Sequence, residues 1–392
     1  MKLSLSWIKD FVNIPEDMDM KQLAYDLTMD TVEVEDVEYL ADRFDHMVVG
    51  VIEDIEPHPN ADKLRVCKVD IGDGEIKDIV CGGINLEKGM RVAVSCPGAI
   101  VRWHGEGEPV EIKKSKLRGV ASYGMICASD EIGLGDLFPA SQEAEILDLS
   151  AFDVPAGTTL ADALDLNDVL LEIDNKSMTN RPDLWGHYGI AREIAALYNL
   201  PLAEIKPFET DVQSDFNVEI DDPDRCPRYI GVEMSGVNVK EAPYQMQNRI
   251  WKVGMRPINA LVDITNYVML ATGNPTHAFD ADNISDHIVV RHAAENEKLL
   301  LLNDKELSLC TDDLVITDSE GPVALAGVMG GAKDSILPKT ERVILEVANF
   351  EAAGIRRTAL RYDNRTEASS RYEKAIDPER CDQALALSMQ YF

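Results

Sequence analysis

Short runs of β-forming residues recur between residues 47 and 129, and this recurrence constrains the fold more than any other feature of the chain. Five or six runs are recognisable, namely VVGVIEDI, LRVCKVDI, IKDIVCGG, MRVAVSC, VEIKK and GMICAS. Turn-forming residues separate them, for example His58-Pro59-Asn60 and Pro97-Gly98. Short strands at near-regular spacing with turns between them are typical of a small closed β-barrel. Residues 41–150 are therefore predicted to form one.

The segments on either side of this barrel have a different pattern. Residues 1–40 combine two short helical stretches with an acidic strand-like segment, which is too little for an independent core. Beyond Asp221-Asp222-Pro223 we expect a larger α/β unit. Its strands (YIGVEMSGV, HIVVRHA, DLVITD, VALAGVM, RVILEVA) alternate with helical stretches such as YQMQNRIWKVGM and INALVDITNYVMLATG. The terminal CDQALALSMQYF is helical without a C-cap signal, so the chain is expected to stop inside an element.

The segment 255–280 contains polar residues suited to chemistry within a strand-like apolar core. These residues are Arg256, Asn259, Asp263, Thr265, Asn266 and His277. Binding sites combine an apolar lining with a few placed polar groups, so this segment is predicted to line a cleft. Two further walls are expected from residues 324–331 and 343–348. The second of these contains one carboxylate, Glu346, among apolar residues.

Length and composition exclude several classes of protein. A chain of 392 residues exceeds one typical hydrophobic core, so two to four domains are expected. No apolar run approaches the ~18 residues of a membrane span and no signal-peptide pattern is present, so we expect a soluble, cytoplasmic chain. The seven scattered cysteines predict buried free thiols, not disulfides or a metal site. The histidines at 277, 287 and 292 lack the HExxH spacing of a metal hydrolase.

The net charge of −32 argues against nonspecific binding to nucleic acid, so an RNA partner would have to meet local basic patches. The first candidate patch consists of Lys113, Lys114, Lys116 and Arg118. The second is an arginine series, which comprises Arg356, Arg357, Arg361, Arg365 and Arg371. Runs of charge are more often only solvated faces, and that alternative stays open for both patches.

Five motifs together carry a family resemblance. They are VVGVIEDIEPHPNADKLRVCKVDIG at 48–72, KLRGVASYGMICASDEIGL at 116–134, NRPDLWGHYGIAREIAAL at 180–197, and the segments around 255–280 and 324–348 described above. On these motifs the whole chain closely resembles the β-subunits of bacterial phenylalanyl-tRNA synthetases. Members of that family are much longer, so the resemblance implies an N-terminal portion.

The resemblance implies a multidomain α+β fold. In that family the barrel is an OB-type tRNA-binding domain inserted into an N-terminal α/β domain, which would explain why residues 1–40 look incomplete. Residues 151–205 would complete that domain and include an amphipathic helix at 189–198. Residues 206–392 would form a mixed α/β domain of the B3/B4 type that carries an editing activity.

The resemblance also implies a pocket that recognises tyrosine. Glu346 matches the family's glutamate that contacts the phenolic hydroxyl of misactivated tyrosine, and Ala326 and Gly327 match small residues that leave room for the ring. On the residues alone, a solvent-facing strand position is favoured for Glu346, because it alternates with Leu345 and Val347. The glycine-rich run around Gly327 also fits a tight turn between strands.

A polar cluster around the scissile ester is implied in the same way. Thr265 and His277 are expected to orient water, Asn266 to hold the substrate, and Arg256 to hold the terminal adenosine or its phosphate. A histidine near neutrality can position or deprotonate water. A lone histidine after proline is also often only a structural hydrogen-bonding group, and that alternative stays open.

The function implied is hydrolytic editing of Tyr-tRNA(Phe) together with tRNA binding. The chain itself needs no cofactor for this, whereas the complete (αβ)₂ enzyme of the resembled family uses ATP and Mg²⁺ to charge tRNA(Phe). The aminoacylation site of that family lies on the α-subunit, so none of its residues are assigned here. The rival hypothesis is a non-catalytic tRNA-binding or assembly module with an inactive pocket.

Overall fold

The computed structural model describes residues 1–210 and 216–392. The chain divides into two compact units. The first unit contains residues 1–37 and 171–392, and the second, which we call the barrel unit, contains residues 38–170. The predicted boundary near residue 205, between an N-terminal and an editing domain, stays a prediction.

The chain begins with β1 (Lys2–Ser4), α1 (Leu5–Ile8), α2 (Met20–Asp30) and β2 (Val34–Tyr39). The barrel unit then contains β3 (Met47–Pro57), β4 (Arg65–Asp70), β5 (Ile76–Cys81), β6 (Arg91–Ser95), β7 (Ile100–Val101), β8 (Val110–Glu111), β9 (Ser115–Leu117), β10 (Val120–Ser122), β11 (Met125–Ile126) and α3 (Leu160–Ala163).

From β12 (Val169–Ile173) the chain returns to the first unit. It continues through α4 (His187–Tyr198), β13 (Val218–Ile220), β14 (Arg228–Ser235), α5 (Tyr244–Lys252), α6 (Ala260–Thr272), β15 (Thr276–Asp280), β16 (Ile288–His292), β17 (Lys298–Leu300) and β18 (Glu306–Ser308). It ends with β19 (Leu314–Asp318), β20 (Gly321–Leu325), β21 (Met329–Gly330), β22 (Arg342–Asn349), α7 (Ala352–Arg361), α8 (Glu367–Tyr372) and α9 (Arg380–Tyr391).

The predicted barrel is confirmed as a nearly closed antiparallel sheet of order β11-β6-β3-β4-β5. Its two edges are tied together where the Tyr123 N–H donates to the Asp78 carbonyl at 2.8 Å. The Val80 N–H also donates to the Ser122 hydroxyl at 3.0 Å. Buried side chains from all five strands, including Ile79, fill the interior.

Strand β22 is the centre of the first unit. It lies between β14 and β15 in a three-stranded antiparallel sheet, and residues on both of its faces are buried. Leu345 and Val347 belong to the hydrophobic cluster that includes residues of α6 and α9. Ile344 and Ala348 belong to a second cluster on the other face. Because side chains alternate along a strand, Glu346 faces the second cluster.

The segment that precedes β15 is a helix. The side chain of Asn259 caps its start by accepting from the Val262 N–H at 3.1 Å, and Gly273 ends it with a φ of +80°. The helical prediction for INALVDITNYVMLATG is confirmed, and the strand-like interpretation of its apolar core is wrong. Nearly every residue of α6 is buried. A fully buried helix shows no polar face, so its apolar residues do not reveal the helical period.

The seven cysteines are all free thiols. Five are buried as predicted, whereas Cys96 and Cys310 are half-buried. Within residues 1–210 and 216–392, no helix combines the length and the apolarity that crossing a membrane requires.

Candidate functional site

Sheet pairing brings two of the predicted site residues together. His277 on β15 lies directly opposite Glu346 on β22 in the antiparallel register. Gly231 on β14 lies opposite Glu346 on the other side. Directly opposite residues of an antiparallel pair have their Cβ atoms about 4.5–5.5 Å apart, so His277 and Glu346 are neighbours on one face of the sheet.

A cavity of about 80 Å³ opens over this face. Its lining is mostly apolar or glycine, with a few polar groups, as is usual for ligand sites. The lining residues are Pro275, Thr276, His277, Ile316, Ala324, Leu325, Gly327, Val328, Met329, Gly330, Glu346, Ala368 and Tyr372.

Glu346 is a buried carboxylate, since only 5% of its surface is exposed. The alternative of a solvent-facing strand glutamate is therefore wrong, because β22 is covered on both faces. Burial raises the pKa of Glu346 to about 7, and a hydrogen bond from Tyr229 opposes that rise. The Tyr229 hydroxyl donates to Oε2 of the carboxylate at 2.9 Å. A group with a shifted pKa inside a cavity is a candidate for function.

His277 is a neutral imidazole at physiological pH. Burial lowers its pKa to about 4, so one ring nitrogen carries no proton and can accept a hydrogen bond from water. The ring packs edge-to-face on Phe279, with centroids 4.6 Å apart. Gly330 leaves space beside it, since a Cβ at that position would lie 2.7 Å from Nε2 of His277.

Gly327 lines the cavity, whereas Ala326 is buried beside it and is absent from the lining. Gly327 has a φ of +66°, and a Cβ there would lie 2.9 Å from Ile355 and 3.1 Å from Tyr372. Both the backbone conformation and the space therefore require glycine. The tight turn considered as an alternative for the glycine-rich run is therefore also part of the cavity wall.

The other predicted polar residues lie further from this cavity. The Thr265 hydroxyl donates to the Val262 carbonyl at 2.7 Å, inside its own helix. Its backbone reaches the lining indirectly, because the Thr276 hydroxyl donates to the Thr265 carbonyl at 3.3 Å. Asn266 is half-buried and Arg256 is exposed, and neither belongs to the lining.

Sequence reasoning missed several residues that line the cavity or contact Glu346. Tyr229 holds Glu346, and Tyr372 closes the apolar side, with its hydroxyl 3.1 Å from the carbonyls of Pro275 and Ala348. Ala368 adds a further small lining residue from α8. The available signal was the motif RTEASSRYEK at 365–374, which contains both Ala368 and Tyr372 as well as two arginines of the predicted series.

The predicted arginine series is not one basic patch. Arg371 is 1% exposed, and its guanidinium donates to Glu367 at 2.6 Å and to the Trp185 carbonyl at 3.0 Å. Arg357 and Arg361 form ion pairs with Asp312. The prediction fails because charge along a sequence does not reveal which distant carboxylates neutralise it.

The lysine cluster of the barrel unit is divided between two cavities. Lys114 and Lys116 line a cavity of about 520 Å³ together with Tyr123. Lys113 lines a different cavity of about 870 Å³ and pairs with Glu111 at 3.1 Å. Arg118 lines neither of these two cavities and has a φ of +44°. Lys113 and Lys114 lie in the link between β8 and β9, and Lys116 lies in β9.

Two family models match the chain. Residues 47–158 match the family described as "Putative tRNA binding domain". Residues 225–392 match the family described as "B3/4 domain". The first match spans the barrel strands, and the second spans the cavity that contains Glu346 and His277.

The chain is similar to curated phenylalanine–tRNA ligase beta subunits. That of Oceanobacillus iheyensis is 40% identical over 391 residues, which cover 98% of this chain and 47% of the relative. That of Pectobacterium atrosepticum is 41% identical over 382 residues, covering 96% and 46%. The chain thus spans about half the length of these relatives. A solved N-terminal fragment of the phenylalanyl-tRNA synthetase beta-subunit from Pyrococcus horikoshii is 20% identical, with a TM-score of 0.28, and covers 46% of this chain and 56% of the fragment.

Proposed function

We propose that this chain, which belongs to the phenylalanine–tRNA ligase beta-subunit family, removes tyrosine from misacylated Tyr-tRNA(Phe) by hydrolysis and binds tRNA through its barrel. The observation that carries the proposal is the buried carboxylate of Glu346 in a small, mostly apolar cavity beside His277. The match of residues 225–392 to the B3/4 family and of residues 47–158 to a tRNA-binding family supports it.

The chemistry of Glu346 accounts for selection of tyrosine. Tyrosine differs from phenylalanine by one hydroxyl, and the ionised carboxylate accepts a hydrogen bond from it. Phenylalanine would cover the same carboxylate and leave it with only the hydrogen bond from Tyr229, which is costly for a buried charge. Sites built to hydrogen-bond a hydroxyl discriminate against the analogue that lacks it by about 10⁴–10⁵ in the best cases.

The remaining roles are assigned from the family resemblance. His277, neutral and at the cavity wall, orients the attacking water, and Thr265 assists through Thr276, which contacts its carbonyl. Asn266 and Arg256 hold the parts of the aminoacyl-tRNA that extend beyond the cavity, Arg256 taking the terminal adenosine or its phosphate. An aminoacyl ester is already activated, so a positioned water suffices.

The proposal includes the arrangement of domains and partners. Residues 41–150 are assigned as an OB-type domain inserted into an N-terminal α/β domain of residues 1–40 and 151–205, with the editing domain at 206–392. The proposed partners of the chain are tRNA(Phe) and an α-subunit, with which it forms an (αβ)₂ heterotetramer in the cytoplasm. In that assembly ATP and Mg²⁺ serve the attachment of phenylalanine, a reaction that we assign to the other subunit.

Hydrolysis of aminoacyl-tRNA by the purified chain tests the proposal. Release of labelled tyrosine from Tyr-tRNA(Phe) should exceed the spontaneous rate, and release of phenylalanine from Phe-tRNA(Phe) should stay close to it. A chain that binds tRNA but accelerates neither reaction would instead support the rival, a tRNA-binding or assembly module with an inactive pocket.

A further inference from the structure

We propose that Tyr123, Lys114 and Lys116 form a site for an unpaired stretch of RNA, with a base stacked on the phenol ring and the flanking phosphates against the two ammonium groups. The inference rests on the tRNA-binding function proposed for the barrel. Beyond that function, it specifies that unpaired RNA is bound, that a base stacks on Tyr123, and that the binding face of the barrel is the one that carries Tyr123.

The cavity on this face is locally basic although the chain carries a net charge of −32. It measures about 520 Å³ and is lined by Ile76, Lys77, Asp78, Lys114, Ser115, Lys116, Ala121, Ser122 and Tyr123. Lys77 is paired with Asp73 and Glu75, so Lys114 and Lys116 supply the available positive charge, and they face one carboxylate of the lining, Asp78. That carboxylate is already paired with Lys68 at 2.7 Å. The cavity therefore presents a surplus of positive charge to a phosphate backbone.

Tyr123 is held rigidly at the edge of the barrel. Its N–H donates to the Asp78 carbonyl at 2.8 Å, and its half-buried side chain packs against the barrel core. Aromatic side chains fixed beside a basic groove are the usual platform for bases of single-stranded nucleic acid, because every base has a face that can stack.

The two lysines nearest the ring differ in their freedom to move. Lys77 lies 5.1 Å from the ring centroid and is anchored by ion pairs with Asp73 and Glu75, both at 2.7 Å. Lys114 lies 4.9 Å from the centroid and forms no ion pair with any residue that the structure describes. An incoming base can therefore take the place of the Lys114 ammonium over the ring, while that ammonium moves to a phosphate.

The neighbouring cavity is unsuited to the same ligand. Its polar lining is dominated by five acids, namely Glu111, Asp130, Glu131, Glu143 and Glu145. The basic residues there are Lys113, which pairs with Glu111, and His104. Phosphates would be repelled from this side. Of the two cavities that the lysines line, the one that contains Tyr123 is therefore the one suited to RNA.

The site can be tested with a fluorescently labelled single-stranded oligoribonucleotide of about 12 nucleotides. Its binding is measured by fluorescence anisotropy over a range of salt concentrations. Tyr123→Leu, which keeps apolar volume but removes the ring, should weaken binding roughly 5- to 150-fold, and Tyr123→Phe should bind like the wild type. Lys114→Ala and Lys116→Ala should each reduce the slope of log affinity against log salt by about 0.7.

Two lysines of the same barrel serve as controls. Lys88 is exposed and lines neither cavity, and Lys113 lines the acidic one. Alanine at either position should leave the salt slope unchanged, and melting curves should show all variants folded. Equal losses from Lys113→Ala and Lys114→Ala, or wild-type binding by Tyr123→Leu, would overturn the site.

Two further outcomes separate this inference from the function on which it rests. If the wild-type chain binds neither tRNA(Phe) nor the oligoribonucleotide at low salt, tRNA binding by the barrel is itself wrong and the site falls with it. If the chain binds tRNA(Phe) normally in all the Tyr123 and Lys114 variants, only the site is wrong. Polyglutamate that competes as well as RNA would identify an acidic polypeptide as the ligand and also overturn the proposal.

Discussion

The phenol of Tyr229 donates a hydrogen bond to Oε2 of Glu346 at 2.9 Å, across the neighbouring strands β14 and β22. Glu346 thus interacts with a phenolic hydroxyl that belongs to the protein, and a phenolic hydroxyl is also what distinguishes tyrosine from phenylalanine. Two effects act on its carboxyl group in opposite directions. Burial raises its pKa to about 7, and the bond from Tyr229 lowers it.

Replacing Glu346 with alanine should remove the preference for tyrosine. A hydrogen bond to a charged group contributes about 1.5–3 kcal/mol, so Tyr-tRNA(Phe) hydrolysis should slow by roughly 10- to 150-fold. The quantity to measure is the ratio of hydrolysis rates for Tyr-tRNA(Phe) and Phe-tRNA(Phe), because the water-orienting groups at Thr265 and His277 are unchanged. Glu346→Gln, which keeps the size of the side chain, is the matched variant. An unchanged ratio in both would show that Glu346 does not read the hydroxyl.

Tyr229→Phe should shift the pH dependence of this selectivity upward. The ionised carboxylate of Glu346 is the form that accepts a hydrogen bond from substrate, so selectivity should fall as the pH drops through about 7. Without the Tyr229 hydroxyl the pKa of Glu346 should rise further, and the loss should begin at higher pH.

Rates for this test need correction for spontaneous ester hydrolysis at each pH. The titration of His277 does not interfere, because its pKa is lowered to about 4. The other titratable groups coupled to Glu346 are the Cys226 and Cys381 thiols and the Tyr372 phenol, whose pKa values burial raises. A selectivity profile with the same midpoint in wild type and Tyr229→Phe would contradict the proposed coupling.

The buried carboxylate should also destabilise the protein at alkaline pH. Between its ordinary pKa of 4.5 and its folded value of about 7, the folded state keeps a proton that the unfolded chain has lost. Stability from Glu346 is therefore complete below 4.5 and is lost as the pH rises through 7, by at most on the order of 3 kcal/mol.

Urea unfolding of wild type and Glu346→Gln measures this effect, because glutamine cannot ionise. The variant should gain stability over the wild type on going from about pH 4.5 to about pH 8. Glu295→Gln, at an exposed position, should show no such change. Parallel behaviour of the two variants would mean that Glu346 is not the titrating group.

Gly330→Ala should impair the site through His277. The added Cβ would lie 2.7 Å from Nε2 of that ring and 3.1 Å from Leu302, so the imidazole must move. We expect hydrolysis of Tyr-tRNA(Phe) to slow by about tenfold or more, because small misplacements of a catalytic group are costly. Gly82→Ala, where the new Cβ makes only an ordinary 3.4 Å contact with Leu64, is the control and should keep the wild-type rate. Full activity in Gly330→Ala would remove His277 from the reaction.

Some features of this protein are local, and the sequence alone was enough to predict them. The barrel strands carry short β-forming runs bounded by turn residues, and both signals lie within a few positions of each other. The helical stretch INALVDITNYVMLATG was predicted, and the cap at Asn259 and the positive-φ Gly273 that bound α6 are local features of the same segment. The position of Glu346 within an apolar strand was likewise predictable from the sequence.

Tertiary structure decided the rest, because it depends on which distant segments become neighbours. Alternation along β22 separates Glu346 from Leu345 but cannot tell whether the opposite face meets solvent or a second hydrophobic cluster. Pairing with β14 and β15 supplied Tyr229 and His277 from 117 and 69 residues away (346 − 229 and 346 − 277). Whether a charged side chain is buried or paired also depends on residues that are distant in the sequence. Arg371 became buried and Lys113 and Lys114 faced different cavities, because burial and pairing are set by the surfaces that each side chain meets after folding.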